Sequence, residues 1–99
     1  MIRYAVVGTG WIADAFIEGA ALAGGLRLAS VYSRREETGC AFAQKYGDIP
    51  VWTDLEALAA SKEIDAVYIA SPNVLHYPQS RLFLEHGKHV LCEKPITVT

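Results

Sequence analysis

The sequence predicts an α/β fold built on a doubly wound parallel sheet. Short, almost uninterrupted apolar segments recur along the chain, segments with helical periodicity alternate with them, and the connections between them are short. Continuous apolar strands that alternate with helices are typical of a parallel sheet covered on both faces. Right-handed crossovers in a doubly wound arrangement then predict the strand order 3-2-1-4-5.

The first strand and helix are the most clearly marked. Ile2–Val7 is short, apolar and β-favouring, and it runs directly into Gly8. From Trp11 the period changes to that of a helix, which Gly24-Gly25 ends. Two inner faces fit the spacing of this helix. One comprises Ile12, Phe16, Ala20 and Ala23, and the other comprises Ala15, Gly19, Leu22 and Ala23.

The other elements follow in the same alternation. A strand is predicted at Leu26–Tyr32, a helix at residues 35–46, an extended segment at 50–52, a strand at 65–70, a helix at 75–86 and a strand at His89–Cys92. Between the extended segment and the fourth strand, Thr53-x-x-Glu56 has the spacing of a capping box. It predicts a helix with Leu55, Leu58 and Ala59 on its inner face.

Composition and charge exclude several classes of protein. The chain has 99 residues, of which 52% are hydrophobic and 20% charged, as expected for one globular domain rather than a disordered chain. A net charge of −2 gives no electrostatic basis for binding nucleic acid or an anionic membrane. Cys40 and Cys92 lack C-x-x-C spacing, which favours reduced thiols. With neither a signal-peptide layout nor a long apolar run, we expect a cytoplasmic protein.

A phosphate-binding motif lies between the first strand and the first helix. Gly8-Thr9-Gly10-Trp11-Ile12-Ala13 matches G-x-G-x-x-G/A, and its position within a strand–helix–strand unit makes the match informative. Gly8 permits the tight turn, Gly10 lets the backbone approach a pyrophosphate, and Ala13 keeps the helix close to the strand. Free N–H groups at the helix N-terminus would bind the phosphates. The alternative is a glycine-rich turn that binds nothing.

The end of the second strand bears on the choice of cofactor. An NAD site usually carries an Asp or Glu there, which binds the ribose 2′-hydroxyl. Ser33-Arg34-Arg35 stands in that place, and Glu36 follows only after the next helix has begun. A hydroxyl and one or two guanidinium groups suit a 2′-phosphate, and Arg34 could also lie flat against adenine. The sequence therefore favours NADP over NAD, with solvated arginines as the alternative.

Two later segments carry a family resemblance. The residues from Ala70 to His76 read A-S-P-N-V-L-H, and those from Gly87 to Pro95 read G-K-H-V-L-C-E-K-P. Together with the glycine motif, they closely resemble the N-terminal domain of the Gfo/Idh/MocA oxidoreductases, the relatives of glucose–fructose oxidoreductase and inositol dehydrogenase. The resemblance extends over essentially the whole chain. It implies a Rossmann-like fold, here lacking the last strand, with residues 1–99 forming a dinucleotide-binding domain.

The resemblance also implies roles for individual residues. Those implied to line the nicotinamide half of the cofactor are Ser71, Pro72, Asn73 and His76, and Lys94 is implied to contact the nicotinamide ribose. Ala70 and Glu93 are counted with them as cofactor-binding residues. The lysine of the family's E-K-P contacts the substrate oxygen, so Lys94 is the candidate catalytic residue. Its place beyond the end of a central strand agrees, because open α/β sheets bind ligands at that edge. Desolvation there could lower the pKa of a lysine enough for proton transfer. His76 could equally be only a polar residue at a helix start.

The expected function is hydride transfer between a nicotinamide cofactor and a hydroxyl-bearing carbon of a sugar, cyclitol or similar polyol. The resemblance implies that a second, α+β domain, absent from these 99 residues, supplies most of the substrate pocket and an oligomer interface. A sensor module without catalysis and an inert truncated fragment are the alternatives. No set of His, Cys or Asp has the spacing of a metal site, and no nucleophile has a base placed beside it.

Overall fold

A computed structural model describes residues 2–70 and 73–92. It contains a five-stranded parallel sheet in the order β3-β2-β1-β4-β5, as the sequence predicts. The strands are β1 (Ile2–Val7), β2 (Leu26–Tyr32), β3 (Val51–Trp52), β4 (Ala66–Ile69) and β5 (His89–Cys92). Because all five run in the same direction, their carboxyl ends meet at one edge of the sheet.

Four helices connect the strands. They are α1 (Trp11–Ala23), α2 (Glu36–Ala43), α3 (Leu55–Ala60) and α4 (Asn73–Glu85). The predicted helix at residues 35–46 is α2 followed by a 3-10 turn at Gln44–Tyr46. The last helix begins two residues before the predicted position and contains Pro78 in its interior. No helix in the described ranges has the length and apolar character needed to cross a membrane.

The sheet separates two apolar cores. Tyr4 and Val6 of β1 pack on the side of α1 and α2, whereas Ala5 and Val7 pack on the side of α3 and α4. All four residues are buried, with relative exposures of 0–1%. Side chains on successive residues of a strand point to opposite faces, so a wholly apolar strand contributes to both cores at once.

The inner face of α1 differs from both faces that the sequence suggested. The buried residues are Ala13, Ile17 and Ala20, whereas Leu22 is 90% exposed. Phe16 is half-buried, with its ring 3.9 Å from that of Tyr68 in a stacked arrangement. Ala20 and Phe16 are thus the correct part of one prediction. The rest was wrong because this helix is apolar on several sides, and only packing on the sheet decides which side is buried.

Strand β2 contains an irregularity that its sequence does not show. Tyr4 pairs with Leu28, but the next residue, Ala5, pairs with Ser30, so Ala29 has no partner across the ladder. The bulge changes the phase of the strand, and Leu28 and Val31 therefore pack in the same core although they are three residues apart.

The capping residue of α3 is Asp54, not Thr53. One carboxylate oxygen of Asp54 accepts hydrogen bonds from the backbone N–H groups of Glu56 and Ala57 at 3.1 and 3.3 Å. Leu58 and Ala59 are buried and Leu55 packs against them, as predicted. An Asp directly after a Thr offers two candidate caps one residue apart, and the capping-box spacing indicated the first.

Candidate cofactor site at the carboxyl edge of the sheet

A cleft of about 660 Å³ lies at the carboxyl ends of β1, β2 and β4. Six residues predicted to bind a cofactor line it, namely Gly8, Thr9, Gly10, Ser33, Arg34 and Ala70. They come from three separate segments of the chain, and the parallel strand order brings them together. Ligands of open α/β sheets bind at this edge, beside the strand at which the chain reverses its direction across the sheet.

Gly8 makes the turn out of β1. Its φ is +114°, a conformation that residues with a side chain rarely adopt, and its N–H donates to the carbonyl oxygen of Tyr32 at 3.1 Å. A Cβ at this position would lie 3.3 Å from the carbonyl carbon and oxygen of Ala70. The turn is therefore packed closely against the ends of two neighbouring strands.

Gly10 is the N-cap of α1 and, unlike Gly8, has an ordinary backbone conformation. Its φ of −83° suits any residue, and a Cβ there would find no atom within 4 Å. Its carbonyl oxygen accepts from the N–H groups of Ala13 and Asp14 at 3.1 and 3.3 Å. The N–H groups of Trp11 and Ile12 come at the start of the helix, where no preceding turn offers an acceptor. The open space beside Gly10, next to a helix N-terminus, fits a pyrophosphate.

Trp11 and Ile12 differ from the other predicted cofactor residues. Their side chains do not line the cleft, and the indole of Trp11 is 77% exposed. What these two residues can offer a phosphate group is therefore the backbone N–H at the helix N-terminus.

Ser33 and Arg34 form the tip of the second strand. Ser33 is only 6% exposed, its N–H donates to the carbonyl oxygen of Trp52 at 3.0 Å, and its Oγ accepts from the N–H of Arg35 at 3.3 Å. The side chain of Arg34 is exposed and makes no ion pair with any residue of the described ranges. Among the described residues that line the cleft, none is a carboxylate.

Close packing holds α2 against this tip. A Cβ at Gly39 would lie 2.5 Å from Cγ1 of Val51 and 3.0 Å from Cβ of Ser33. The helix can approach β3 and Ser33 this closely only because Gly39 has no side chain. The position of the Ser33 hydroxyl is thereby fixed by packing as well as by hydrogen bonds.

One carboxylate lies near the proposed phosphate position, and it is paired. Asp14, in the first turn of α1, is 2.9 Å from Nζ of Lys45 and accepts a hydrogen bond from the hydroxyl of Tyr46. The Tyr46 hydroxyl and the Lys45 ammonium lower the pKa of Asp14, while burial and the bond to Asp14 raise the pKa of Tyr46. The lysine offsets a negative charge that would otherwise repel a phosphate bound one turn away.

Several predicted residues remain untested by the structure. Ser71, Pro72, Glu93 and Lys94 lie outside the described residues. Asn73 is the first residue of α4 and His76 lies in its first turn, which is all that is described of them. The roles implied for these six residues remain predictions.

The cleft also has lining residues that the sequence did not single out. They are Val7, Tyr32, Thr38 and Gln79, and Arg35, which follows Arg34 at the strand tip, lines the cleft as well. Gln79 had a signal in its spacing, since it follows the predicted site residue His76 by three residues on the same helix. Residues three apart are neighbours on a helix, so a site residue near a helix start points to the next turn as well.

A glycine turn that opens a helix, at the edge of a parallel sheet in the order 3-2-1-4-5, defines the class of dinucleotide-binding Rossmann proteins. Comparison with known proteins narrows this class. Residues 2–99 match the model of the GFO_IDH_MocA family, described as an oxidoreductase family with an NAD-binding Rossmann fold. The chain belongs to this family, as the motifs of its sequence predicted.

Individual relatives support the assignment. The chain is 54% identical over 95 residues to scyllo-inositol 2-dehydrogenase (NADP(+)) IolU of Bacillus subtilis, covering 96% of this chain and 29% of the relative. It is 36% identical to D-glucoside 3-dehydrogenase of Escherichia coli, covering 99% and 28%. Biliverdin reductase of Synechocystis, solved with biliverdin and NADP+, superposes with a TM-score of 0.84 at 33% identity, covering 99% and 31%. The chain thus spans less than a third of each of these relatives.

Proposed function

We propose that residues 1–99 form the dinucleotide-binding domain of an NADP-preferring oxidoreductase. The complete enzyme transfers hydride between nicotinamide and a hydroxyl-bearing carbon of a sugar, cyclitol or similar polyol, in a pocket completed by a second, α+β domain. The names of two relatives, a scyllo-inositol dehydrogenase and a glucoside dehydrogenase, support this substrate class. The share of the relatives that this chain covers, 28–29%, leaves room for such a domain.

The tip of the second strand carries the preference for NADP. Ser33 presents a fixed hydroxyl, Arg34 presents a guanidinium without an ion-pair partner in the described part of the chain, and no described carboxylate lines the cleft. A 2′-phosphate gains charge-assisted hydrogen bonds from such a pair, whereas the carboxylate typical of NAD sites would repel it.

Different residues of the chain bind the cofactor and transfer the proton. Gly8, Gly10 and the start of α1 hold the pyrophosphate, and Ser33 with Arg34 holds the 2′-phosphate. When bound, the nicotinamide ring supplies hydride acceptance or donation at its C4 atom. Lys94 holds a proton at the substrate oxygen and gives or takes it as the oxygen changes between hydroxyl and carbonyl.

Parallel titrations with NADPH and NADH, followed by the fluorescence of Trp11 and Trp52, test the proposal. We expect NADPH to bind at least ~10-fold more tightly, or about 1.4 kcal/mol. Arg34→Gln should abolish most of this difference, while Arg27→Gln, at another exposed arginine, should preserve it. Equal affinities in the unchanged chain would contradict the NADP preference, and a folded chain that binds neither would contradict the proposed function.

The proposal also covers the cellular location and the oligomeric state of the enzyme. The free thiol of Cys40 supports a reducing, cytoplasmic location. We further propose that the second domain forms the contacts of a homo-oligomer, on the resemblance to the family. Size-exclusion chromatography with light scattering on the full-length protein tests this, and a monomer would contradict it.

A further inference from the structure

Part of the cleft lies beyond the residues that would hold the phosphates. Val7 and Tyr32, which line the cleft, pack in the core on the side of α3 and α4. On the same side, α4 contributes Gln79, a half-buried residue that also lines the cleft. The cleft therefore extends from the start of α2, around Gly8, to one side of α4.

The proposed function indicates which part of the dinucleotide occupies this region. With the pyrophosphate at the start of α1 and the 2′-phosphate at Ser33 and Arg34, the adenine ribose lies between β1 and the tip of β2. The base attached to that ribose must then enter the remaining part of the cleft. That part lies between Tyr32 and α4.

We propose that Gln79 recognises the adenine base of the cofactor through its side-chain amide. Adenine presents its N6 amino group as a donor, with ring nitrogens on either side as acceptors, and a side-chain amide carries one acceptor and one donor group at matching separation. Arg34 has only donors. Gln79 is the one side-chain amide among the described residues that line the cleft.

Gln79 lies on a helix that holds it in a fixed position, which suits a specific contact with the base. Phe83, one turn further along α4, is completely buried in the core beside β1 and β4. The helix is thereby fixed against the sheet, and a residue one turn earlier is held at a defined height above the strand ends. Preorganised polar groups contribute more to specificity than mobile ones, since less freedom is lost when the ligand binds.

The test compares NADP+ with its 1,N6-etheno derivative, in which N1 and N6 are bridged and N6 has no hydrogen to donate. In calorimetric titrations, the unchanged chain should bind NADP+ about 10-fold more tightly than the derivative. Gln79→Leu should lower the affinity for NADP+ to that for the derivative and leave the latter unchanged. If Gln79→Leu retains the tenfold difference, the bulk of the etheno bridge causes it and the assignment of Gln79 is wrong.

A second variant and a control on α4 complete the experiment. Gln79→Glu keeps the length and the acceptor but loses the amide donor, so it should narrow the same ratio even if Gln79→Leu fails to fold. Arg81→Gln should change neither affinity, because Arg81 is 69% exposed and pairs with Glu85 at 3.0 Å, outside the cleft. If the unchanged chain is folded but binds neither ligand, the proposed function itself fails. Binding with the ratio intact in both Gln79 variants overturns only this inference.

Discussion

Gly8 and Gly10 stand two residues apart in the same turn, yet the protein itself requires a glycine at only one of them. Gly8 has a φ of +114°, and a Cβ there would lie only 3.3 Å from the carbonyl of Ala70, tighter than ordinary contact. Gly10 has an ordinary backbone conformation and open space where its side chain would be. The first glycine is therefore required by the fold, and the second leaves the open space that the proposed pyrophosphate would occupy.

Alanine at each position should separate stability from binding. Gly8→Ala should lower the free energy of unfolding by about 1–3 kcal/mol, since it places a side chain in a strained conformation. Gly10→Ala should change that free energy by less than about 0.5 kcal/mol, but weaken NADPH binding at least ~10-fold because its Cβ occupies the pyrophosphate space. Urea denaturation and fluorescence titration measure the two effects. Normal NADPH affinity in Gly10→Ala would show that the phosphates bind elsewhere.

At the scale of a single element, the start of α3 shows how one hydrogen-bonding group defines a helix boundary. The helix has six residues, too few for intrinsic propensity to stabilise it strongly. The Asp54 carboxylate satisfies two backbone N–H groups that would otherwise have no partner in the helix. Thr53, the residue that the capping-box spacing suggested, is exposed.

Substitution of the two residues distinguishes their roles. Asp54→Ala should destabilise the protein by about 1 kcal/mol through the loss of the cap. Thr53→Ala should change the stability by less than about 0.5 kcal/mol. Asp54→Asn, which retains an acceptor oxygen, should have a stability close to that of the unchanged protein. If thermal or urea denaturation shows a larger loss of stability for Thr53→Ala than for Asp54→Ala, Thr53 is the cap, as the sequence suggested.

The strands were predicted more accurately than the helix faces, and the reason is physical. Ile2–Val7, Leu26–Tyr32 and His89–Cys92 have the predicted bounds, because a buried parallel strand must be apolar on both faces and ends where polar residues or glycine begin. In α1, exposed Leu22 carries the same apolar signal as buried Ile17. The bulge at Ala29 depends on the register with β1, which one strand alone does not specify.

At the scale of the whole molecule, the site combines what local sequence encodes with what only packing creates. The glycine turn and the Ser33–Arg34 tip are local motifs, and they meet in the cleft because parallel strands align their carboxyl ends. Tyr32 and Gln79 belong to the same cleft only because α4 crosses to the other face of the sheet from α1. No spacing along the chain indicates that these two residues line one cleft.

The opposite edge of the sheet is joined by a bidentate ion pair between the starts of β1 and β4. Asp65 accepts from Nε and Nη2 of Arg3 at 3.1 and 3.0 Å, and from the Arg3 backbone N–H at 2.9 Å. Both side chains remain about two-fifths exposed, with 38% for Arg3 and 41% for Asp65. The hydrogen bonds from the guanidinium are the largest cause of a fall in the pKa of Asp65 to about 2.

This pair should make stability depend on pH within a defined window. Asp65 has a lower pKa in the folded chain than the value of about 3.9 expected when unfolded, so its ionised form favours the fold. That contribution is complete above about pH 4 and is lost as the pH falls towards about 2. Asp65→Asn should therefore melt below the unchanged chain at about pH 6, and the gap should close as the pH approaches about 2.5. About 1 M salt should also narrow the gap, because the pair is partly exposed.

Thermal melts across this range, with exposed Asp48→Asn as the control, isolate the contribution of Asp65 from that of other carboxylates. Asp14 also has a lowered pKa and titrates in the acid range, but it is present in all three chains and cancels in the differences. The Asp48→Asn curve should run parallel to that of the unchanged chain. A gap for Asp65→Asn that stays constant from about pH 6 to about pH 2.5 would mean that the Asp65 carboxylate stabilises the fold no more when charged than when protonated. The hydrogen bonds to Arg3 would then join the two strands equally well in both protonation states, and the charge of Asp65 would contribute nothing to stability.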